Sequence, residues 1–270
     1  SDHVSDDGQV IVLVSSDGLN WELSTEITQP ATDLRDPKII VTPDQRLLLS
    51  CAGVKRGVAG TPLQSYLYVS VDGKNWSAPK PVGALNHWLW RYRFVGEEAY
   101  AVAYFAPEEA TFLYKLSKHG QETLWCDPLV SKQQDGLGYP NEHDLFTLAD
   151  GSLGCLLRRD ADTGSAQLGI ASPPFKTWQW RDLGVRIGGP VLLRLSSGRL
   201  LAAVRRYGPA RTSLCWLDTD KATLQEQLAL PSGGDTSYAG LVEWQGGVWC
   251  SYYSSHEGKT AIYVAQLSCD

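Results

Sequence analysis

The chain has 270 residues, of which 43% are hydrophobic and 20% charged, and its formal net charge is -6. That length suits one large domain with a sizeable core, and the composition excludes a disordered chain. No apolar run approaches the roughly 20 residues of a membrane-crossing helix, and an acidic balance argues against nucleic acid as the main partner.

Ten Trp and twelve Tyr suit a β-rich protein, or one whose ligand stacks on rings. The sequence contains no Met, so it is expected to start downstream of a natural initiator.

Taken in order, the chain repeats itself. A strand-like VIVLV leads into Ser15-Ser16-Asp17-Gly18-Leu19-Asn20-Trp21, and YLYV leads into Ser70-Val71-Asp72-Gly73-Lys74-Asn75-Trp76. Both read S-x-D-G-x-N-W. Worn copies follow at Ser117 to Gly120 with Trp125, at Ser172 with Trp178 and Trp180, and at Leu217-Asp218. A last strand ends near Leu267. The step is about 50 residues, a period of propeller blades or solenoids.

Each period opens with a hairpin. KIIVTPDQRLLLSC, RYRFVGEEAYAVAYF, DLFTLADGSLGCLLRR, VLLRLSSGRLLAAVRR and LVEWQGGVWCSYY each carry a short turn between β-branched or aromatic runs. A third strand precedes the Asp-Gly turn and a fourth follows it. No stretch of a dozen residues has helical periodicity. The expected fold is therefore all-β, a propeller of four-stranded blades filling a single domain over 1–270. Five sets of the first three strands are countable, near 37–71, 88–117, 142–172, 190–217 and 238–267. An unaccompanied pair near 10–15 and 22–28 precedes them. It either completes the last of five blades or belongs to the first of six.

Because neighbouring strands are antiparallel, the starts of first strands and the ends of second strands share one face. That face collects Arg35-Asp36-Pro37, Trp88, Trp90 and Arg91, Asn141-Glu142-His143, Arg158-Arg159, Arg205-Arg206 and Tyr238. Arg35, Arg158 and one of Arg205 or Arg206 are expected to share a cavity and fork a carboxylate. Trp88 and Trp90 are set to stack on a sugar or to pack between blades. Glu142 and Tyr238 offer a base and a hydroxyl. Tyrosine is a sensible nucleophile where a carboxylate would be repelled, as at an anomeric carbon that itself bears a carboxylate. Asp17 and Asp72 read as caps of their own turns.

Cys51, Cys155 and Cys250 sit in apolar strand-like runs and read as buried free thiols. No C-x-x-C and no Cys/His spacing suggests a metal, and no cofactor is expected. The compartment stays open between secreted and cytoplasmic.

The S-x-D-G-x-N-W turns resemble the Asp boxes of the sialidase (neuraminidase) superfamily, one residue shorter than usual. N-E-H-D-L-F-T-L-A-D-G-S-L-G-C-L-L-R resembles the sialidase stretch where the Glu that activates the Tyr precedes a carboxylate-binding Arg. D-T-S-Y-A-G-L-V resembles the final blade. The resemblance spans nearly the whole chain and implies six blades and an exo-sialidase-like glycoside hydrolase acting on a glycan with a terminal acidic sugar. It makes Tyr238 the nucleophile and Glu142 its activator. Arg158 and Arg205 or Arg206 become anion-binding residues. The family's first such Arg sits in an R-I-P motif on its first blade, for which this chain offers only Arg35-Asp36-Pro37, on the second blade if the N-terminal pair belongs to the first. The acid/base Asp falls by register between His3 and Gly8, making Asp6 or Asp7 the candidate. The family's Glu after the last second strand is replaced by Tyr253, with Glu257 further on.

Arg35-Asp36-Pro37 and Glu142 also resemble the R-D-P and E-C-P motifs of five-bladed fructan-cleaving enzymes. That reading makes Asp36 and Glu142 a carboxylate pair. A third reading is a non-catalytic carbohydrate-binding propeller.

Overall fold

The computed structural model describes residues 6–268. The chain forms two compact units, one of residues 1–107 and 111–128 and the other of residues 108–110 and 129–270.

The first unit opens with β1 (Val10–Val14) and β2 (Glu22–Ile27), a two-stranded antiparallel sheet. Next comes a four-stranded meander of β3 (Asp33–Val41), β4 (Leu47–Val54), β5 (Leu63–Ser70) and β6 (Lys80–Val82). A second meander has β7 (Trp88–Val95), β8 (Glu98–Phe105), β9 (Ala110–Leu116) and β10 (Glu122–Ser131). The first pair packs on the β3–β6 sheet through Val10, Ile27, Leu34, Leu49, Cys51 and Tyr68.

The second unit holds the meander β11 (Pro140–Thr147), β12 (Leu153–Arg159), β13 (Ser165–Ala171) and β14 (Gln179–Arg186). Then follow β15 (Gly188–Arg194), β16 (Leu200–Arg206), β17 (Arg211–Asp218) and β18 (Thr223–Ala229). A sheet of β19 (Thr236–Trp244), β20 (Gly247–Ser254) and β21 (Ala261–Leu267) has three strands among the described residues. Phe146, Leu156, Leu168, Ile187 and Val204 seal the β11–β14 sheet to the β15–β18 sheet, each almost wholly buried. Burying a side chain of that size stabilises by about 1.5–3 kcal/mol. The five blade sheets match the five sets counted in the sequence. The sixth blade implied by the sialidase resemblance is not formed among the described residues, where β1 and β2 stay a pair.

The S-x-D-G-x-N-W turns are built alike. Asp17 accepts from the backbone N–H of Leu19 and Asn20, both at 2.8 Å, and from the Asn20 amide at 2.7 Å. Asp72 repeats this with Lys74 and Asn75. Trp21 and Trp76 each donate their indole N–H to the glycine carbonyl three residues back. The worn copy at Ser172 keeps that last bond, from Trp178 to the Phe175 carbonyl at 3.1 Å, and Phe175 takes the glycine's left-handed backbone at φ 65°. Ser70 pairs with Leu47, whereas Arg35 pairs with Ala52, so the Asp72 turn lies at the opposite end of its blade from Arg35.

One irregularity recurs in all five blades. Each first strand bulges one to three residues after it starts. Asp36-Pro37, Trp90-Arg91, Asn141-Glu142, Gly189-Pro190 and Tyr238-Ala239 each lie opposite a single residue of the second strand. A bulge re-aims side chains and ends regular pairing. Glu142 and Tyr238 sit on two of these bulges.

Candidate functional site

In the second unit the bulge of β11 carries Glu142. Asn141 stabilises it from its own side chain: Oδ1 accepts the Glu142 N–H at 2.7 Å, and Nδ2 donates to Asp160 at 2.9 Å. Across the bulge stands Arg158, where the equivalent second-strand positions of the other blades hold Cys51, Val102, Val204 and Tyr252. Arg158 donates to Glu142 Oε2 at 2.6 Å and pairs with Asp160 at 2.8 Å. Burial pulls its pKa down, but Glu142 and Asp160 outweigh that and hold it above the ordinary guanidinium value.

Two further donors converge on the buried Glu142 carboxylate. The Gly189 N–H reaches Oε2 at 2.7 Å, and the Tyr238 hydroxyl donates to Oε1 at 2.5 Å. Tyr238 and Gly189 are themselves bulge residues, with φ 47° and 51°. Gly189 is required twice. Its backbone is left-handed, and a Cβ there would lie 2.4 Å from the Tyr238 ring. The charged donor and the short hydroxyl contact are the stronger kinds of hydrogen bond.

Arg205 stands beside this pair, 5.8 Å from the Tyr238 ring centre. It donates to the Thr236 carbonyl at 2.6 Å, to Asp235 at 2.8 Å and to the Tyr253 hydroxyl at 2.7 Å. Its Nη1 has no partner among the described residues. Tyr253 packs edge-on to Tyr238 at 5.7 Å. Burial raises the Tyr253 hydroxyl pKa, and neighbouring Arg205 offsets only part of the rise.

In the first unit the buried Asp33 holds Arg35 at 2.7 Å and Arg56 at 2.9 Å. Gly8 packs so closely that a Cβ would meet the Asp33 carboxylate, and its carbonyl accepts the Leu34 N–H at 3.0 Å. Asp33 was missed because it lies two residues before the charged Arg35-Asp36 pair that draws the eye.

The other expected site residues lie as follows. Trp90 is 2% exposed with Lys38 4.1 Å over its ring, so it packs rather than stacks on a ligand. Trp88 is half-buried against Tyr104, with ring centres 5.6 Å apart. Arg91, the second residue of its bulge, is half-buried. His143 is wholly buried and cannot touch a substrate from the surface. Arg206, one residue from Arg205 and so on the other sheet face, runs outward to Glu226 at 4.0 Å. Glu257 is exposed and accepts from Tyr263 at 3.0 Å, so Tyr253 rather than Glu257 meets Arg205. Asp36 is half-buried with a left-handed backbone, and its carbonyl accepts from Lys38. Asp6 and Asp7 are exposed, while His3, Val4 and Ser5 lie outside the described residues. Among the described residues no three His, Cys, Asp or Glu side chains group as metal ligands, and no helix is long and apolar enough to cross a membrane.

No protein-family profile and no curated protein matches the chain. Solved structures do. One is a protein of unknown function from Dyadobacter fermentans, 20% identical over 100% of this chain and 86% of that one, with a TM-score of 0.84. An α-L-arabinofuranosidase from Fusarium graminearum is 12% identical over 96% and 84%, with a TM-score of 0.72. An α-L-arabinanase from Penicillium chrysogenum is 11% identical over 98% and 86%, with a TM-score of 0.71. The fold is a β-propeller. At these identities the likeness is one of fold, and the propeller's chemistry has to be argued from its own side chains.

Proposed function

We propose that this propeller is a glycosidase that uses Tyr238 as nucleophile and acts on a terminal sugar bearing a carboxylate, as sialidases do. The observation that carries the reading is the 2.5 Å hydrogen bond from Tyr238 to Glu142. Glu142 takes the phenolic proton as Tyr238 Oη bonds to the anomeric carbon and the glycosidic C–O bond breaks. The leaving oxygen takes a proton from water. The hydroxide so formed then bonds to the anomeric carbon, the tyrosyl–sugar C–O bond breaks, and Glu142 returns the proton to Tyr238. Arg158 and the Gly189 N–H keep Glu142 aimed at the phenol. Arg205, with Nη1 left over beside Tyr238, is suited to the substrate carboxylate. A neutral phenol meets that carboxylate without the repulsion a carboxylate nucleophile would feel.

The second reading is a neutral furanoside substrate, and the likeness in fold to arabinan-cleaving propellers favours it. An aryl sialoside and an aryl α-L-arabinofuranoside, each given to wild type, Tyr238→Phe and Glu142→Gln, test both. The expected outcome is sialoside turnover that falls at least about 100-fold in Tyr238→Phe, the usual worth of such a step. Unimpaired Tyr238→Phe beside a dead Glu142→Gln overturns the tyrosine mechanism and leaves a carboxylate pair. Turnover of the arabinofuranoside alone overturns the acidic-sugar assignment. A wild type inert on both leaves a non-catalytic carbohydrate-binding propeller.

A further inference from the structure

We propose that the second unit carries another saccharide site, for an acidic sugar, at the far ends of the strands that build the Glu142–Tyr238 site. A cavity of about 560 Å³ opens there between the β11–β12 and β15–β16 hairpin turns and the β17–β18 turn. That volume lies within the usual range for a small-molecule pocket, roughly 300–1,000 Å³. Gly189 and Arg194 stand at opposite ends of β15, which separates the two sites by about 17 Å at the rise of an extended strand.

Two guanidinium groups line the cavity, Arg194 and Arg199. Neither has a carboxylate within ion-pair reach among the described residues. Arg199 lies 3.6 Å over the ring of Trp216, and Trp216 in turn packs on the core between the last two blades. Stacking holds the guanidinium flat with its N–H edge available, which is the geometry for forking a carboxylate. The acids of the pocket do not cancel this charge. Asp218 is occupied by Lys221 at 3.3 Å and by the N–H groups of Asp220 and Lys221. Only the exposed Asp220 remains against the two arginines.

The wall is tied in place, because Arg181 donates to the carbonyls of Thr219 and Asp220. Thr147, Thr223 and Gln225 supply hydroxyl and amide groups of the kind that bind sugar hydroxyls. An inorganic anion would satisfy the arginines but leave most of the cavity to water. A sugar with a carboxylate uses both parts. The assignment does not depend on the catalytic reading.

The test is a ligand-observed NMR titration with sodium glucuronate, glucose and sodium sulfate, run on wild type, Arg205→Ala, Arg199→Ala, Arg199→Lys and Arg194→Ala. The expected result is saturable glucuronate binding that survives Arg205→Ala. It should weaken at least tenfold in Arg199→Ala and Arg194→Ala, and partly in Arg199→Lys, which keeps charge but loses the fork. Glucuronate binding no better than glucose overturns the proposal, as does an unchanged titration in Arg199→Ala. Equal affinity for sulfate overturns the saccharide assignment. Binding lost in Arg205→Ala but kept in Arg199→Ala assigns the sugar to the Tyr238 end and overturns this site while supporting the other.

Discussion

Glu142 is the residue on which the proposed chemistry turns, and its position explains why an arginine stands inside a blade. A carboxylate that is 6% exposed needs donors for both oxygens, and Arg158, Gly189 and Tyr238 supply them. Removing the cation while leaving the carboxylate should be costly. Arg158→Met is expected to lower unfolding free energy by about 3 kcal/mol, the usual cost of stranding one half of a buried pair. Glu142→Gln, which keeps one carbonyl oxygen for Arg158 and the Gly189 N–H and turns its NH2 to the Tyr238 oxygen, should cost less. Urea titration of both variants checks the order, and a more stable Arg158→Met would contradict it. Glu142 and Tyr238 were legible in the sequence because each opens a first strand among polar neighbours. Gly189 was not, since nothing in Gly-Gly-Pro announces that a backbone N–H points at a carboxylate. Nor could the sequence separate Arg205 from Arg206, because the choice depends on which face of β16 the pleat presents.

The recurring element is the bulged first strand. Turn residues and apolar runs locate hairpins well, so the strands of the five blades were readable from the pattern. Bulges leave no such mark when the extra residue is an Asp, Trp or Tyr. Gly189→Ala tests the bulge directly. The variant must strain a left-handed backbone and move the Tyr238 ring. Turnover of the substrate found for wild type should drop about tenfold or more with the fold intact by circular dichroism, and unchanged turnover would separate the bulge from the chemistry. The Asp-Gly turns are the second repeated element. Hydrogen bonds from Asn75 and Lys74 hold the Asp72 carboxyl well below its ordinary value of 3.8. A depressed folded pKa means that the ionised side chain's contribution is present above about pH 4 and is lost as pH falls further. Asp72→Asn should therefore unfold at lower urea than wild type at pH 7, with the gap narrowing steadily as pH falls below about 4. A gap independent of pH would show that the turn holds without its charge.

Across the whole molecule, the described cysteines make a reporter of packing. Cys51, Cys155, Cys215 and Cys250 are free thiols, and all four are buried, as is Cys126. Burial pushes Cys51, Cys215 and Cys250 up to about 12, so hardly any thiolate forms near neutral pH. In a Cys269→Ser background, native protein at pH 8 should stay silent to a thiol reagent, and labelling should rise together with unfolding in urea. Labelling well below the unfolding transition would reveal blades that open separately. Cys51, Cys155 and Cys250 were readable as core because each lies within an apolar strand-like run, a reading that needs no knowledge of where blades sit. The bulges add something of a different kind. In each blade the first unpaired position is one letter, and the five letters here are Asp36, Trp90, Asn141, Gly189 and Tyr238. Beyond the bulge the ladder resumes in every blade. Under the proposed function, a chain of this build would alter its site by respelling such positions, while the grammar of the sheets stays the same.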